Sequence, residues 1–190
     1  MALPDAPINL TNQFLIAMPG MADSTFSGAV VYMCEHNERG ALGLVINRPI
    51  DIDLATLFGK IDLKLEIHPL AEQPVYYGGP VQTERGFVLH DATGAYSSSL
   101  AVPGGLEMTT SKDVLEAVAQ GGGPQRFILT LGYAGWSAGQ LEDELSRNGW
   151  LTVQADPEII FSVPAEARFA AALNLLGINP AMLSGEAGHA

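Results

Sequence analysis

Cysteine is almost absent from the sequence: Cys34 is the only one in 190 residues. A lone cysteine excludes an intramolecular disulfide, which is the usual cross-link of small secreted domains. A chain with a single unpaired thiol is instead typical of a reducing compartment. We therefore expect a cytoplasmic protein.

Basic residues are also scarce, with 9 lysines and arginines against 21 aspartates and glutamates and a formal net charge of -12. Binding to nucleic acid or to an anionic membrane requires a cationic face that displaces counterions. The arginines are scattered along the chain rather than clustered; they are Arg39, Arg48, Arg85, Arg126, Arg147 and Arg168. We therefore expect no direct binding to nucleic acid and none to membranes.

Long apolar runs are missing as well. No stretch approaches the roughly 18 consecutive apolar residues that predict a membrane-spanning helix, and the first residues lack the basic and apolar segments of a secretion signal. The composition, 47% hydrophobic and 16% charged, favours a buried core over disorder. The length fits one domain, and we expect a partly ordered tail over residues 1–13 and a single domain over residues 14–190.

Short apolar runs separated by glycine and proline are abundant. They predict about ten strands and three or four helices, without strict alternation and without an internal repeat. This pattern is typical of a mixed α+β fold rather than a doubly wound parallel sheet. The predicted strands include residues 158–161 and two hairpins, one over residues 29–46 and one over residues 98–109. Helices are predicted over residues 53–58 and 111–119, and a long last helix is predicted from Pro164 onward.

The stretch over residues 127–149 has the most position-specific pattern. Residues 127–131 are apolar and predict a buried strand. The glycines that follow predict a tight loop around two aromatic rings; they are Gly132, Gly135 and Gly139, and the rings are Tyr133 and Trp136. Ser137 with Gln140 three residues later fits a capping box, which predicts a helix from Ser137 to the Asn148-Gly149 pair.

A series of short motifs runs in order through nearly the whole chain. They are FLIAMPGM at residues 14–21 followed by Asp23 and Phe26, CEHN at 34–37, GALG at 40–43, NRP at 47–49, YGGPV at 77–81, RGFVLH at 85–90, GYAGW at 132–136, GQLE at 139–142 and GHA at 188–190. Together they resemble the YqgE/AlgH family of bacterial proteins. Phe169 departs from the family pattern, which has tryptophan in the last long helix.

The resemblance implies a single α+β domain with a mixed, bifurcated β-sheet surrounded by helices and long loops. The family has no established biochemical activity and no agreed active site. The label of putative transcriptional regulator on its alginate-associated members is an inference about pathway. The resemblance therefore implies no catalytic role for any residue of this sequence.

Residues 135–139, GWSAG, match the nucleophile-elbow pattern G-x-S-x-G of serine hydrolases. That chemistry needs a base within hydrogen-bond distance of the serine, and His189 is the only histidine that follows Ser137 in the sequence. The motif also does not follow its predicted strand directly, as an elbow does. A helix cap is the preferred interpretation of Ser137, and a serine nucleophile is the alternative.

Cys34 and His36 form the best chemical candidate. Because they are two residues apart on an extended chain, their side chains would point to one face. An imidazolium beside a thiol lowers the pKa of the thiol, which could then serve as a redox sensor or a nucleophile. The preferred interpretation is a buried cysteine at a strand end, with His36 turned toward a polar loop, and the reactive thiol is the alternative.

Metal and phosphate sites have weak support. The histidines lie far apart in the sequence, without the helical pair that is typical of zinc sites; they are His36, His68, His90 and His189. Neither the P-loop motif nor the Rossmann glycine motif occurs. We therefore expect no metal and no cofactor.

Polar residues and tight turns that adjoin apolar strands can line a groove for a small ligand or a peptide. The candidates for such a groove are Asn47, Arg48, Gly78, Gly79, Arg85 and His90. The preferred interpretation is that these residues form turns and surface pairs, and the groove is the alternative.

The preferred hypothesis is a non-enzymatic cytoplasmic regulatory or interaction protein. It would act through a protein partner or a small ligand rather than directly on DNA. The alternatives are a thiol-based redox sensor or enzyme centred on Cys34 and His36 and, less favoured, a serine hydrolase that uses Ser137.

Overall fold

Ten β-strands and five α-helices form the fold in the computed structural model, which describes residues 8–19, 24–92, 94–104 and 106–183. The strands are β1 (Gln13–Ala17), β2 (Val30–Asn37), β3 (Gly40–Val45), β4 (Pro49–Asp53), β5 (Pro74–Tyr77), β6 (Val81–His90), β7 (Ser99–Ala101), β8 (Glu107–Thr109), β9 (Phe127–Ser137) and β10 (Trp150–Gln154). The α-helices are α1 (Leu54–Lys60), α2 (Lys112–Gln120), α3 (Gln140–Ser146), α4 (Pro157–Phe161) and α5 (Arg168–Asn174). Short 3₁₀ helices cover Ser24–Phe26, His68–Leu70, Ala165–Ala167 and Pro180–Leu183. Strands and helices do not alternate regularly, which confirms the predicted α+β class.

The sheet is built around β9. Its strand order is β10-β1-β2-β3-β9-β6-β8-β7, and β6 pairs antiparallel along one side of β9. Two strands share the other side, because β3 pairs antiparallel with the C-terminal part of β9 and β5 pairs parallel with its N-terminal part. β4 is attached through β5. One long strand thus connects every other part of the sheet.

The course of β9 corrects the prediction of a strand followed by a glycine loop, since the strand continues through Gly132 to Ser137. Gly132 serves a contact between backbones instead of a turn. A Cβ atom on Gly79 would lie 2.1 Å from the carbonyl carbon of Tyr133, and one on Gly132 would lie 2.3 Å from the carbonyl oxygen of Gly79. Because glycine has no Cβ, the two backbones can approach this closely, and the hydrogen-bond ladder of β9 continues beyond Gly132.

Helix α3 begins later than predicted. The sequence placed its cap at Ser137, whereas the helix begins at Gln140 and Gly139 precedes it with a φ of 78°. The Gln140 side chain still accepts a hydrogen bond from the Ser137 N–H at 3.0 Å, which is one half of a capping box. The predicted end is confirmed, because Asn148 follows the helix with a φ of 59°.

Residues 158–161 belong to helix α4 and not to the predicted strand. Asp156 accepts a hydrogen bond from the backbone N–H of Glu158 at 3.0 Å, and Pro157 occupies the first helical position. Both features are typical of a helix start. The predicted long last helix is also divided, because a 3₁₀ turn precedes α5.

Several predictions from local signals are confirmed. β2 and β3 form a hairpin, β7 and β8 form another, and α2 begins directly after Ser111. Asp53 caps α1 by accepting a hydrogen bond from Thr56 at 2.8 Å. β4 was not predicted, although Ile50 and Ile52 alternate with aspartates as in a strand; it begins with Pro49, and its pairing with β5 is irregular.

Hydrophobic clusters lie on both faces of the sheet, because alternate residues of a strand point to opposite faces. Val30 and Tyr32 of β2 pack with α4 and α5 in one cluster, whereas Val31 and Met33 belong to a second cluster beneath α3. A third cluster joins α1 and α2 to the N-terminal part of β9. None of the helices in the described ranges has both the length and the apolar character needed to cross a membrane.

Replacing Gly79 by alanine should strongly destabilise the protein. The added Cβ would overlap the backbone of Tyr133 and Ala134 at 2.1 to 2.3 Å, where neither segment can move without breaking its pairing. We expect a loss of more than about 3 kcal/mol in the free energy of unfolding, measured by urea denaturation.

Gly59→Ala is the matched control, since Gly59 lies in α1 and an added Cβ would meet no atom within 4 Å. Alanine is the better helix former, so this variant should gain up to about 1 kcal/mol. A Gly79→Ala protein as stable as the wild type would contradict the close contact between the two backbones.

Candidate functional site

Ser137 lies at the exposed end of β9, where its partner is a glutamine. Its backbone N–H and its hydroxyl both donate to Gln140 Oε1, at 3.0 and 3.2 Å. Among the described residues no histidine is hydrogen-bonded to it, and His189 lies outside the described ranges. The arrangement around Ser137 is that of a helix start, without a base for nucleophilic attack.

A β-bulge separates the side chains of Cys34 and His36. The register of the β2–β3 ladder shifts between Met33 and Glu35, which leaves Cys34 as an extra residue in β2. The shift inverts the alternation of the strand, so Cys34 packs in the cluster with α4 and α5 while His36 lies on the opposite face, against α3. The prediction that both side chains share one face is therefore wrong.

The Cys34 thiol is buried, with 1% of the residue exposed, and its Sγ lies 3.9 Å from the carbonyl oxygen of Tyr32. Burial, with a smaller contribution from the negative charge of Glu35, raises the pKa of the Cys34 thiol well above its ordinary value. A raised pKa keeps the thiol protonated, and a buried protonated thiol is a poor nucleophile.

His36 is buried beside α3 and holds the segment before β1. Its Nδ1 accepts a hydrogen bond from the Leu10 N–H at 3.0 Å, so part of the predicted tail is fixed. Its Nε2 lies 3.4 Å from Glu142 Oε2, but the geometry falls short of a hydrogen bond. No group of three His, Cys, Asp or Glu side chains in the described part of the chain is placed to hold a metal ion.

Two of the six residues predicted to line a groove hold the loop before β2. Asn47 accepts a hydrogen bond from the Val30 N–H and donates one to the Gly28 carbonyl, both at 2.9 Å. The Arg48 guanidinium donates to two backbone carbonyls of the same loop. The polar groups of both residues are therefore used within the fold.

The other four predicted groove residues lie in three further environments. Gly78 and Gly79 are at the backbone contact with β9. Arg85 is exposed and stacks 5.9 Å from the ring centroid of Phe87. His90 is fully buried, and its ring nitrogens contact Thr109 Oγ1 at 2.7 Å and a backbone carbonyl at 2.6 Å. The six residues do not form one groove, because the fold uses most of their polar groups internally.

An open cleft of about 480 Å³ lies instead beside the β2–β3 hairpin. Small residues leave space at its floor, namely Gly40 and Ala41 of β3 and the exposed Gly135 of β9. The half-buried side chains of Leu42 and Tyr133 add apolar surface to the same floor. Sequence reasoning assigned these residues to turns and strands and did not predict the cleft.

The rim of the cleft carries charge. Asn37 donates to Glu35 Oε1 at 3.1 Å and accepts from the backbone N–H of Arg39 at 2.8 Å, which fixes the hairpin turn. The exposed Arg39 guanidinium makes no ion pair with any described residue. The cleft therefore combines some apolar surface on its floor with one carboxylate, Glu35, and one guanidinium, Arg39, on its rim, and neither of the two is ion-paired with a described residue.

Trp136 also lines the cleft, but its side chain belongs to the cluster beneath α3, on the opposite face of the sheet from Tyr133, and Glu144 holds its indole there. The indole N–H groups of Trp136 and Trp150 both donate to Glu144 Oε1, at 3.0 and 2.9 Å. The Phe26 ring packs against both indoles, at centroid distances of 6.2 and 5.5 Å. Sequence reasoning did not single out Glu144; the signal is an acidic residue on a helix that two tryptophans flank.

Comparison with known proteins gives consistent matches. The model of a family described as AlgH-like matches residues 14–181. A UPF0301 protein of Ralstonia pickettii is 95% identical over 190 residues, which cover 100% of both chains. A UPF0301 protein of Cupriavidus metallidurans is 85% identical, again over 100% of both chains.

Two solved structures resemble the fold. The solution structure of the AlgH protein from Pseudomonas aeruginosa matches with a TM-score of 0.79 and 50% identity, over 100% of both chains. A crystal structure of a Corynebacterium diphtheriae protein matches with a TM-score of 0.62 and 23% identity, over 88% of this chain and 86% of that chain. The second likeness concerns the fold alone.

Cys34 should be almost inert toward iodoacetamide in the native protein at pH 8. Because its pKa is raised and the residue is buried, alkylation requires an opening of the fold. We expect a rate at least about 100-fold below that of the same residue in urea, measured by mass spectrometry. Glutathione serves as the model thiol, and a native Cys34 that reacts as fast as glutathione would contradict the burial.

Proposed function

The chain belongs to the AlgH-like family, and from that premise we propose that it is a non-catalytic regulatory protein of the cytoplasm that binds a segment of a protein partner. The names of its relatives state no activity, so the proposal rests on this chain's own surface. The cleft beside the β2–β3 hairpin carries it, because Arg39, which is ion-paired with no described residue, borders a half-buried floor there.

A binding role is supported by the arrangement of the reactive side chains. Cys34 and His36 lie on opposite faces of the sheet, and the hydroxyl of Ser137 is bonded to Gln140. Nucleophilic catalysis needs a nucleophile and a base within hydrogen-bond distance of each other. No observation favours the thiol or the serine hypothesis over binding.

The chemistry of the cleft defines the partner segment. Leu42 and Tyr133 offer apolar surface to one bulky apolar side chain, and Arg39 offers a guanidinium to a carboxylate next to it. We therefore propose a short segment in which an apolar residue adjoins an acidic one. The formal net charge of -12 disfavours DNA, whose phosphates need several cations, whereas the proposed segment needs only one.

The cysteine content supports the proposed cytoplasmic setting. The single cysteine is buried and cannot form a disulfide within the chain, so the fold does not need an oxidising compartment. A regulatory protein of this kind would act through the occupancy of its cleft rather than through turnover of a substrate.

A photo-crosslinking amino acid at exposed Glu38, beside the cleft, should capture the partner in cells. The same amino acid at exposed Ser146 is the control position, since Ser146 lies on α3 and does not line the cleft. A protein captured at position 38 and not at position 146 is then purified, and its dissociation constant is measured by isothermal titration calorimetry.

Arg39→Glu should weaken that binding by about tenfold or more, because it places a carboxylate opposite the acidic residue of the partner. Arg147→Glu, at an exposed site outside the cleft, should change the constant less than about twofold. Equal binding by Arg39→Glu and wild type, or identical capture at both positions, would contradict the proposal.

A further inference from the structure

A small cavity of about 200 Å³ lies where β5, β9, α4 and α5 meet, and no residue lines both this cavity and the cleft. Its lining includes Tyr76 of β5, Phe127 of β9, Phe161 of α4 and Arg168 of α5. We propose that this cavity binds a small monocarboxylate with an apolar body, through the guanidinium of Arg168. The site goes beyond the proposed partner cleft and does not depend on it.

Arg168 is the central observation, because it is a cation that the fold buries. Only 4% of the residue is exposed. Its Nε donates to the Val163 carbonyl at 2.9 Å, its Nη1 donates to the Ile46 carbonyl, and its guanidinium carbon lies 5.0 Å from the ring centroid of Tyr76. Carbonyl groups and an aromatic face orient the guanidinium, but they carry no net charge that would neutralise it.

No acidic side chain in the described part of the chain supplies the missing charge. Among the described residues, none of the carboxylates lies within 4.0 Å of an Arg168 nitrogen. A buried ion without a counterion is costly, and buried arginines are normally paired with a carboxylate. The chain has 21 acidic residues and places none of the described ones beside Arg168. An anionic ligand would neutralise Arg168 here, as the carboxylate of a paired side chain does for most buried arginines.

A second guanidinium lines the same cavity. Arg126 pairs with Glu158 through Nη1 and Oε1 at 2.5 Å and stacks 5.2 Å from the ring centroid of Phe161. The side chains of this pair are 40% and 63% exposed, so the pair borders the opening rather than the interior. Two cations and one carboxylate leave a single positive charge, which one monoanion neutralises. A dianion such as phosphate would leave an excess negative charge in the cavity.

The size and the walls of the cavity restrict the rest of the ligand. A volume of about 200 Å³ holds roughly seven waters at about 30 Å³ each, which is too small for a nucleotide or a coenzyme. Leu54, Leu70 and Phe127 give it apolar walls. A short or single-ring carboxylic acid fits both features, because its carboxylate reaches Arg168 while its apolar body contacts the walls.

The test is a titration of the purified full chain with benzoate, acetate and inorganic phosphate at constant ionic strength, followed by amide chemical shifts. Benzoate should bind saturably, with a dissociation constant below roughly 10 mM, and its shifts should centre on Tyr76 and residues 127–129. Binding of phosphate tighter than that of benzoate would overturn the assignment to a monocarboxylate. The absence of saturable binding by any probe would overturn the site itself.

Two variants at the opening should change benzoate affinity in opposite directions. Arg126→Gln leaves Glu158 unpaired beside the site and should weaken binding at least about fivefold, whereas Glu158→Gln frees Arg126 and should tighten binding about threefold. Arg147→Gln, an exposed cation paired with Asp143 away from the cavity, should change affinity less than twofold. Equal effects of all three variants would show nonspecific charge attraction and overturn the proposal.

Arg168→Lys tests the buried group directly. Lysine keeps the charge but loses the fork that binds a carboxylate through two hydrogen bonds, so benzoate affinity should fall about tenfold or more. Circular dichroism checks that this variant folds. If it does not fold, the Arg126→Gln and Glu158→Gln variants decide whether the cavity binds benzoate. A folded Arg168→Lys protein with wild-type affinity would overturn the role of the guanidinium.

Discussion

The close approach of Gly78 and Gly79 to β9 is the contact on which the rest of the structure depends. The Gly78 N–H donates to the Leu131 carbonyl at 2.9 Å, and the Gly78 carbonyl accepts from the Val45 N–H at 2.8 Å. A segment that follows β5 therefore bonds to β9 and to the end of β3 at once. Any side chain larger than hydrogen at these glycines would separate the strands.

Both proposed binding sites depend on this continuous strand. The C-terminal part of β9 contributes Tyr133, Gly135 and Trp136 to the cleft, and its N-terminal part contributes Phe127, Ile128 and Leu129 to the cavity. A strand paired on both sides is among the most rigid elements of a fold. The two sites therefore rest on one rigid element and differ in chemistry, since the cleft has charged groups on its rim and the cavity has a buried cation in its lining.

The sequence predicted best the features that depend on neighbouring residues. Ser111 and Gly121 mark the ends of α2, and short polar turns mark the two hairpins, so these elements follow from local signals. The second half of β9 could not be predicted in this way. Gly132 has the same local signature whether it forms a turn or meets another backbone, and its partner Gly79 is distant in the sequence.

The candidate sites show the same limit. The bulge at Cys34 reverses which residues of β2 face each side of the sheet, and no residue pattern in β2 predicts the bulge. Arg168 appears in the sequence as one of several scattered arginines, and only the fold reveals that it is buried without a described carboxylate. The family assignment succeeded because it rests on many short motifs in order, which do not depend on knowing what each motif contacts.

Amide hydrogen exchange along β9, followed residue by residue by NMR, tests the continuous strand most directly. If the strand is continuous and paired on both sides, the amides of residues 130–136 should exchange with the slowest class in the protein, at a rate governed by global unfolding. Exchange of residues 132–136 as fast as that of the irregular segment at residues 61–67 would contradict the account, because it would restore a glycine loop where the sheet requires a strand.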